Sequence, residues 1–189
     1  EEKFIVSTMN NLKFKWIKEI IVVNDGSTDK TGELVKEYLK NKNQKIKLFN
    51  FDKNQGKGRA VEFALAKSAG EIILLVDADL ASSVIESEKL VNNILKNKSD
   101  LVIAVLPIKG GGFGILRKTS SFLLYFLTGQ KMRAPLSGQR AIKKKLLKEM
   151  CPLGKGYGIE MKMNYYILKN KVVYSEIDCN FCHEVTQKD

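Results

Sequence analysis

Two aspartates separated by a single residue follow a strongly apolar run. Asp77, Ala78 and Asp79 come directly after residues 72–76, which are all Ile, Leu or Val. Two carboxylates at the end of a strand can both face a cleft, where their charge requires a compensating cation. Because carboxylate and phosphate oxygens suit Mg²⁺ and Mn²⁺, the triplet predicts a divalent metal that bridges the protein to a diphosphate. A turn or a helix N-cap is the alternative interpretation.

A glycine-rich segment supplies a second candidate site. Asn54, Gly56, Lys57 and Gly58 precede a pattern typical of a helix. Backbone N–H groups and the helix dipole at such a point favour a bound phosphate. The segment lacks the spacing and the hydroxyl residue of a Walker motif. A surface turn that carries lysines is the alternative interpretation.

The elements that must position these residues alternate along the chain. Apolar runs predict strands at 20–23, 46–51, 72–76 and 101–106, and amphipathic patterns predict helices at 31–39, 57–68, 86–95 and 159–168. The alternation predicts an α/β fold, a doubly wound and mostly parallel sheet with helices on both faces. In such a sheet ligands bind beyond the carboxyl ends of the strands. Asp25, Gly26 and Ser27 follow the first predicted strand and therefore belong to the same edge as Asp77.

Composition limits the class of protein. The chain has 189 residues, enough for one domain, and a net charge of +11 that indicates an anionic partner without choosing which one. No nucleic-acid-binding motif accompanies the charge, so we expect no nucleic acid partner. The odd number of cysteines favours reduced thiols, and no run approaches the roughly 20 apolar residues of a membrane span. We therefore expect a cytoplasmic protein.

Taken together, the motifs resemble family 2 glycosyltransferases of the GT-A fold. The set in chain order is Asp25-Gly26-Ser27-Thr28-Asp29, Asn54-x-Gly56-Lys57-Gly58-x-Ala60, Gly70-Glu71-Ile72 and Asp77-Ala78-Asp79. Three later segments look like the small bacterial branch related to glucosyl-phosphoglycerate and dolichyl-phosphate mannose synthases: residues 134–141, Gly156-x-Gly158-x-Glu160 and His183-x-x-Thr186. The resemblance implies one domain, with a nucleotide-sugar-binding half over 1–106 and an acceptor-side half over 107–189.

The resemblance also implies a donor site. The donor would be a UDP- or GDP-sugar, and the cofactor a Mg²⁺ or Mn²⁺ ion on Asp77, Asp79 and His183, the only histidine of the chain. The nucleotide base and ribose would lie near the segment that begins at Asp25, and the diphosphate near Lys57. The full set of implied donor-binding residues is Asp25, Gly26, Ser27, Asn54, Lys57, Gly58, Asp77 and Ala78.

Catalytic positions follow from the same resemblance. Gln139 and Arg140 match the segment that borders acceptor and donor phosphate, and a surface turn is the alternative. Glu160 would place a carboxylate near the sugar or the acceptor hydroxyl, although a carboxylate at a helix start also stabilises the helix dipole. The acceptor would be a phosphorylated small molecule or a polyprenyl phosphate. In the second case the apolar residues 122–127 would contact the inner face of the membrane peripherally, whereas core packing is their alternative role.

One difference from the family leaves other functions open. Family members open with an apolar strand that helps to hold the base, whereas this chain begins at Glu1 in the helix that follows it. We therefore expect a central strand and part of the base pocket to be absent. Two alternatives remain: a non-catalytic nucleotide-binding fragment of such an enzyme, and a sugar-phosphate nucleotidyltransferase.

Overall fold

The structure is a computed structural model that describes residues 1–41, 45–107, 113–154 and 158–182. Its helices are α1 (Ile5–Asn11), α2 (Thr31–Asn41), α3 (Lys57–Lys67), α4 (Ser87–Leu95), α5 (Phe113–Thr128), α6 (Lys144–Met150) and α7 (Ile159–Lys169). Its strands are β1 (Ile20–Asp25), β2 (Ile46–Phe51), β3 (Ile72–Leu75), β4 (Leu101–Val105), β5 (Arg140–Lys143) and β6 (Tyr174–Asp178). A 3-10 helix spans Ala81–Glu86 between β3 and α4.

The described strands form two hydrogen-bonded groups. β1 and β2 pair in parallel, from Ile20 opposite Ile46 to Asp25 opposite Phe51. The other four lie in the order β3-β5-β4-β6, in which β4 and β6 are parallel and β5 is antiparallel to both of its neighbours. Within the described residues, β1 and β3 therefore each have a paired strand on one side only.

Strand β4 is buried on both faces and shows the layering of the fold. Leu101 and Ile103 pack in one apolar cluster with Ile167 of α7, whereas Val102 packs in another with Leu90 of α4, and all five side chains have no exposed surface. Successive side chains of a strand point to opposite faces, so an all-apolar strand requires a cover on each side. Helices supply both covers, which makes the fold a three-layer α/β/α arrangement.

A smaller apolar cluster joins the first two helices to β1 and β2. Ile5 and Met9 of α1 meet the fully buried Val35 of α2, with Val22 and Leu48 of the strands packed against them. The apolar face of α2 recurs at helical spacing, which is why this segment forms an amphipathic helix. This cluster fixes α1 beside the carboxyl end of β3, where the Thr8 hydroxyl donates to the carbonyl of Ala78 at 2.7 Å.

The predicted α/β architecture is confirmed, with differences in detail. The four predicted strands and four predicted helices are all present, with ends displaced by two residues or fewer. The antiparallel strand β5 was not predicted, because its sequence Arg140-Ala141-Ile142-Lys143 is short and half basic. Cys151, Cys179 and Cys182 form no disulfide with one another. The sequence predicts a hinge at Gly110, Gly111, Gly112 and Gly114; the first three lie outside the described residues, and Gly114 lies in α5.

The apolar residues 122–127 are mostly exposed, so the interpretation that they pack in the core is wrong. They belong to α5, where only Leu124 is buried, while Phe122 is 68% exposed and Phe126 is 78% exposed. The period of an α-helix turns one apolar side chain inward and leaves its neighbours outside. In the described part of the chain, no helix is both long and apolar enough to cross a membrane.

Candidate active site

Asp77 stands at the centre of a polar cluster just beyond the end of β3. Its Oδ1 accepts a hydrogen bond from Lys57 Nζ at 3.0 Å, and its Oδ2 accepts one from Gln139 Nε2 at 2.7 Å. Lys57 opens α3 and Gln139 directly precedes β5, so two distant parts of the chain meet on one carboxylate. The structure thus brings together three predicted site residues at the carboxyl end of a strand, where ligands bind in open α/β sheets.

Lys57 also joins Asp77 to the fourth residue of the cluster. Its Nζ lies 3.0 Å from Glu160 Oε1, in the first turn of α7. Burial acts to lower the pKa of Lys57, but the charges of Asp77 and Glu160 outweigh it, so the pKa lies above the ordinary value. The lysine therefore stays protonated at neutral pH and neutralises part of a two-carboxylate site.

Gly138 makes this close approach sterically possible. A Cβ atom at this position would lie 2.6 Å from Lys57 Nζ and 3.2 Å from Asp77 Oδ2. Any other residue would therefore displace the ion pair. Gly138 was not among the predicted site residues, although its place in the segment 134–141 was a signal that could have found it.

The glycine-rich segment is fastened to the end of β1 by Asp25. The Asp25 carboxylate accepts the backbone N–H groups of Gln55 and Gly56, at 2.7 and 2.8 Å. Gly26 has φ +71°, and a Cβ there would lie 2.6 Å from the backbone nitrogen of Asn54, so the two segments cross with room only for glycine. The contacts fix the segment that carries Lys57 and leave the first turn of α3 at the same edge of the sheet as Asp77.

Arg140 is placed differently from the other predicted catalytic residues. Its side chain is only 1% exposed, and burial lowers its pKa to about 10. The guanidinium donates to the carbonyl of Ser137 at 2.8 Å and to Asn164 Oδ1 at 2.7 Å. Asn164 in turn donates to the carbonyl of Pro135 at 2.6 Å. Arg140 therefore points away from the cluster and holds the segment that presents Gln139.

The remaining predicted residues surround the cluster. Ser27 is exposed and donates its backbone N–H to Asn24, Gly58 is buried in the first turn of α3, and Asp79 is half-buried two residues beyond Asp77. His183 lies outside the described residues, as do Gly156 and Thr186. Two residues that the sequence did not single out support the 134–140 segment: Asn164 and Glu176, whose carboxylate accepts the N–H groups of residues 133 and 134.

Comparison with known proteins agrees with this geometry. The sequence profile described as glycosyl transferase family 2 matches residues 1–157, which is most of the chain and contains Asp25, Lys57, Asp77 and Gln139. The chain belongs to glycosyl transferase family 2. The resemblance stated from the motifs is confirmed.

Two curated relatives match different lengths of this chain. A dolichyl-phosphate beta-glucosyltransferase of Trichomonas vaginalis is 46% identical over 97 residues, which are 49% of this chain and 28% of that protein. An uncharacterised protein of Methanocaldococcus jannaschii is 29% identical over 174 residues, 85% of this chain and 74% of its own length. The matched part is thus less than a third of the T. vaginalis enzyme.

A solved structure within this fold carries nucleotide and metal. Glucosyl-3-phosphoglycerate synthase from Mycobacterium tuberculosis, in complex with Mn²⁺, uridine diphosphate and phosphoglyceric acid, superposes with a TM-score of 0.79 at 24% identity. The match covers 98% of this chain and 67% of that one. This likeness confirms the GT-A fold of the chain.

The described residues suit the hard divalent cation expected of a family 2 site. Each Asp77 oxygen accepts one hydrogen bond and keeps a second lone pair, and Asp79 offers another carboxylate two residues on. Mg²⁺ binds through one or two carboxylates and completes its shell with water and substrate phosphates. No cluster of three or more potential ligands occurs among residues 1–41, 45–107, 113–154 and 158–182. Asp77 and Asp79 could hold such an ion together with water and phosphate oxygens.

Proposed function

We propose that this chain forms the catalytic core of a glycosyltransferase. It would move a sugar from a UDP- or GDP-linked donor to a phosphorylated acceptor, with Mg²⁺ or Mn²⁺ as cofactor. Family membership supports the reaction class, and the polar cluster around Asp77 supports its location. The single observation that carries the proposal is the bridge from Asp77 through Lys57 to Glu160, with 3.0 Å at each contact.

The chemistry of sugar transfer explains why such a bridge is useful. An acceptor oxygen bonds to the anomeric carbon as the bond from that carbon to the nucleoside diphosphate breaks, and the diphosphate leaves with its negative charge. Positive groups fixed beforehand at the departing phosphates lower the barrier because they need no reorganisation during the reaction. Lys57, the first-turn N–H groups of α3 and a cation on Asp77 and Asp79 are such groups. A metal held by Asp77 and Asp79 would supply Lewis-acid charge neutralisation of the diphosphate.

The same bridge gives the other residues their proposed roles. Glu160 lies beside Lys57 and is 13% exposed, so its carboxylate can border the sugar or accept the proton of an acceptor hydroxyl. Gln139 orients Asp77 through its amide. Arg140 is buried in the core, where it positions the segment that carries Gln139 and does not contact the substrate. Asp25 fixes the glycine-rich segment and stands near the ribose, and His183 would add a neutral imidazole to the metal.

Ligand-dependent thermal stability tests the donor site directly. A nucleotide that binds only the folded protein raises Tm by mass action, so the correct one of UDP and GDP should raise it in the presence of Mn²⁺. The shift should vanish without Mn²⁺ and in Asp79→Ala. The exposed Asp52→Ala, in the turn after β2, is the matched control and should keep the shift. A folded wild-type protein that shows no shift with either nucleotide would favour a non-catalytic fragment, and Mn²⁺-dependent release of pyrophosphate from a nucleoside triphosphate would favour a nucleotidyltransferase.

A lipid phosphate is the acceptor that the surface around the site favours. A cavity of about 340 Å³ is lined by Asp77, Gln139 and Arg117, so it leads from the cluster to the first turns of α5. Phe122 and Phe126 are exposed apolar side chains on the opposite side of α5 from Arg117. We infer that α5 contacts the membrane interface through Phe122 and Phe126, because exposed aromatics favour that interface, and that Arg117 binds the phosphate of a prenyl acceptor at the cavity.

Flotation and transfer assays distinguish the acceptors. The chain should float with vesicles that contain anionic lipid, and Phe122→Ser/Phe126→Ser should reduce the floated fraction severalfold. Ile85→Ser/Val173→Ser removes two apolar side chains of similar exposure elsewhere and should have no effect. Transfer of glucose from UDP-glucose to polyprenyl phosphate, in preference to 3-phosphoglycerate, would support the lipid acceptor. The opposite preference without vesicle binding would refute it.

A further inference from the structure

The hydroxyl of Thr8 bridges two backbone groups in the turn that follows β3. Its Oγ1 donates to the carbonyl oxygen of Ala78 at 2.7 Å and accepts the N–H of Ala81 at 2.8 Å. A carbonyl and an N–H three residues apart are the pair that a β-turn joins directly, and here the hydroxyl lies between them. Asp79 is therefore part of a segment that one side chain of α1 closes at both ends.

The bridged segment has a backbone conformation that needs such support. Ala81 has φ +45°, in the left-handed region that is unfavourable for a residue with a Cβ atom. Ala81 also begins the 3-10 helix, and Leu80 directly before it makes no capping hydrogen bond with its side chain. The Thr8 hydroxyl supplies the acceptor that this helix start lacks. Unfavourable backbone conformations persist where the surroundings fix them, and they are concentrated at functional sites.

Helix α1 is a packed support for the hydroxyl. Thr8 is 3% exposed, and its helix packs through Ile5 and Met9 in the small apolar cluster with α2. The side chain of Ala78 packs against the same cluster. The middle residue of the predicted metal-binding triplet is therefore held twice, by its methyl group in the cluster and by its carbonyl on Thr8.

The two aspartates of the candidate metal site are oriented by different contacts. The carboxylate of Asp77 is held by Lys57 and Gln139. Asp79 lies between the two backbone groups that Thr8 binds, so the direction of its side chain depends on the bridged backbone. Removal of the hydroxyl would release the backbone on both sides of Asp79 and leave the contacts of Asp77 in place.

We propose that Thr8 is a positioning residue of the metal site: its hydroxyl fixes the backbone of residues 78–81 so that Asp79 binds the same divalent cation as Asp77. The inference rests on the proposed function, which assigns that cation to the two aspartates. Thr8 contacts neither the cation nor the nucleotide and acts only through the backbone. Groups that orient metal ligands from outside the coordination shell change metal affinity by about 10-fold or more.

Titration of Mn²⁺, alone and then with the nucleotide that raises Tm, tests the proposal. The sharp EPR signal of aqueous Mn²⁺ broadens on binding, so the free ion is measured directly. Thr8→Val keeps the branched shape without the hydroxyl and should raise the Kd for Mn²⁺ about 10-fold. Thr8→Ser restores the hydroxyl and should keep the wild-type Kd. Thr8→Cys has a weakly bonding thiol, should give an intermediate Kd, and replaces Thr8→Val if that variant does not fold.

Ile5→Val is the matched control for a general loss of stability. It removes one methylene group from the cluster that holds α1 and leaves the hydroxyl in place. Urea denaturation measures the stability of every variant, and Ile5→Val should bind Mn²⁺ like the wild type despite its loss. The proposal is overturned if Thr8→Val, or Thr8→Cys in its place, keeps the wild-type Kd, if Thr8→Ser binds as weakly as that variant, or if Ile5→Val weakens binding equally.

Asp79→Ala separates failure of this inference from failure of the proposed function. If the wild type binds Mn²⁺ and Asp79→Ala does not, the metal site is supported, and the Thr8 variants alone decide the positioning role. If the two proteins bind Mn²⁺ equally, or if neither binds it in either titration, the metal site of the proposed function is wrong, and the role of Thr8 at that site is wrong with it.

Discussion

Substitution of Lys57 by methionine tests the central contact of the proposed site. The substitution keeps much of the aliphatic stem but removes the ammonium group that lies 3.0 Å from both Asp77 Oδ1 and Glu160 Oε1. Two carboxylates would then face each other without their shared cation, and the departing diphosphate would lose a fixed positive charge. We therefore expect two separate effects, one on the unliganded fold and one on nucleotide binding.

The loss in unfolding free energy and the rise in the Kd for the nucleotide can each be estimated. A single pair at 3.0 Å is worth about 1.4 kcal/mol in bulk water and about 5.5 kcal/mol at an effective dielectric constant of 20. Lys57 and Asp77 are each about one-third exposed, which screens the pair and puts the loss in unfolding free energy near 1–3 kcal/mol. A charge-assisted hydrogen bond to phosphate is worth about 1.5–3 kcal/mol, so the Kd for the nucleotide should rise about 10- to 150-fold.

Urea denaturation measures the first effect, and calorimetric titration of UDP or GDP at saturating Mn²⁺ measures the second. Lys53→Met is the matched control, because Lys53 lies exposed in the same turn and its loss changes the net charge of +11 by the same amount. The control should leave the Kd within about twofold. The reasoning would be refuted if both variants bound the nucleotide as tightly as the wild type, since Lys57 would then have no contact with the diphosphate.

The pH dependence of the same difference gives an independent check. The folded-state pKa of Lys57 is raised above its ordinary value of 10.5, so the protonated lysine stabilises the fold below that value. This contribution is lost as pH rises through the folded pKa. The difference in unfolding free energy between wild type and Lys57→Met should therefore stay constant between about pH 6 and pH 9 and shrink above about pH 10.5. A difference that grew with pH in the alkaline range would contradict the assigned partners.

Three further variants test neighbouring residues. Glu160→Gln should lower kcat about 100-fold or more while changing the nucleotide Kd only a few-fold, and equal losses in both would contradict a role in the transfer step. Gly138→Ala should weaken nucleotide binding, because the new Cβ lies 2.6 Å from Lys57 Nζ and the ammonium group must move; an unchanged Kd in titration would count against the crowding. Asn164→Leu should cost about 1.5–3 kcal/mol in urea denaturation by removing an acceptor of the buried Arg140, and a neutral result would show that the guanidinium finds another partner.

Sequence reasoning could locate the residues that carry local signals. Asp77 follows an apolar run, and Lys57 follows a glycine at a helix start, so strand ends and helix starts could be located and their convergence deduced from the topology of parallel sheets. The contact between Asp77 and Gln139 could not be predicted from such local signals. It depends on β5 running antiparallel between β3 and β4, and a four-residue strand with a basic residue at each end carries no recognisable period.

The residues that sequence reasoning misplaced or missed act through burial. Arg140 follows Gln139 and shares the same motif, yet adjacent strand residues point to opposite faces, so one reaches Asp77 while the other enters the core. Asn164 interrupts the apolar face of α7, and only the position of the buried guanidinium shows why an amide is needed there. Such pairs are set by long-range packing, for which a single sequence gives no spacing rule.

The strands of the sheet also fix the position of the candidate site. Asp25 ends β1 and Asp77 follows β3, so the separation of these two strands sets the lateral distance between the glycine-rich segment and the Asp77 cluster. Lys57 is anchored on both sides: through the backbone of its segment to Asp25, and through its ammonium group to Asp77. The position of the Lys57 ammonium group, and with it the positive charge offered to a diphosphate, therefore depends on both strands at once.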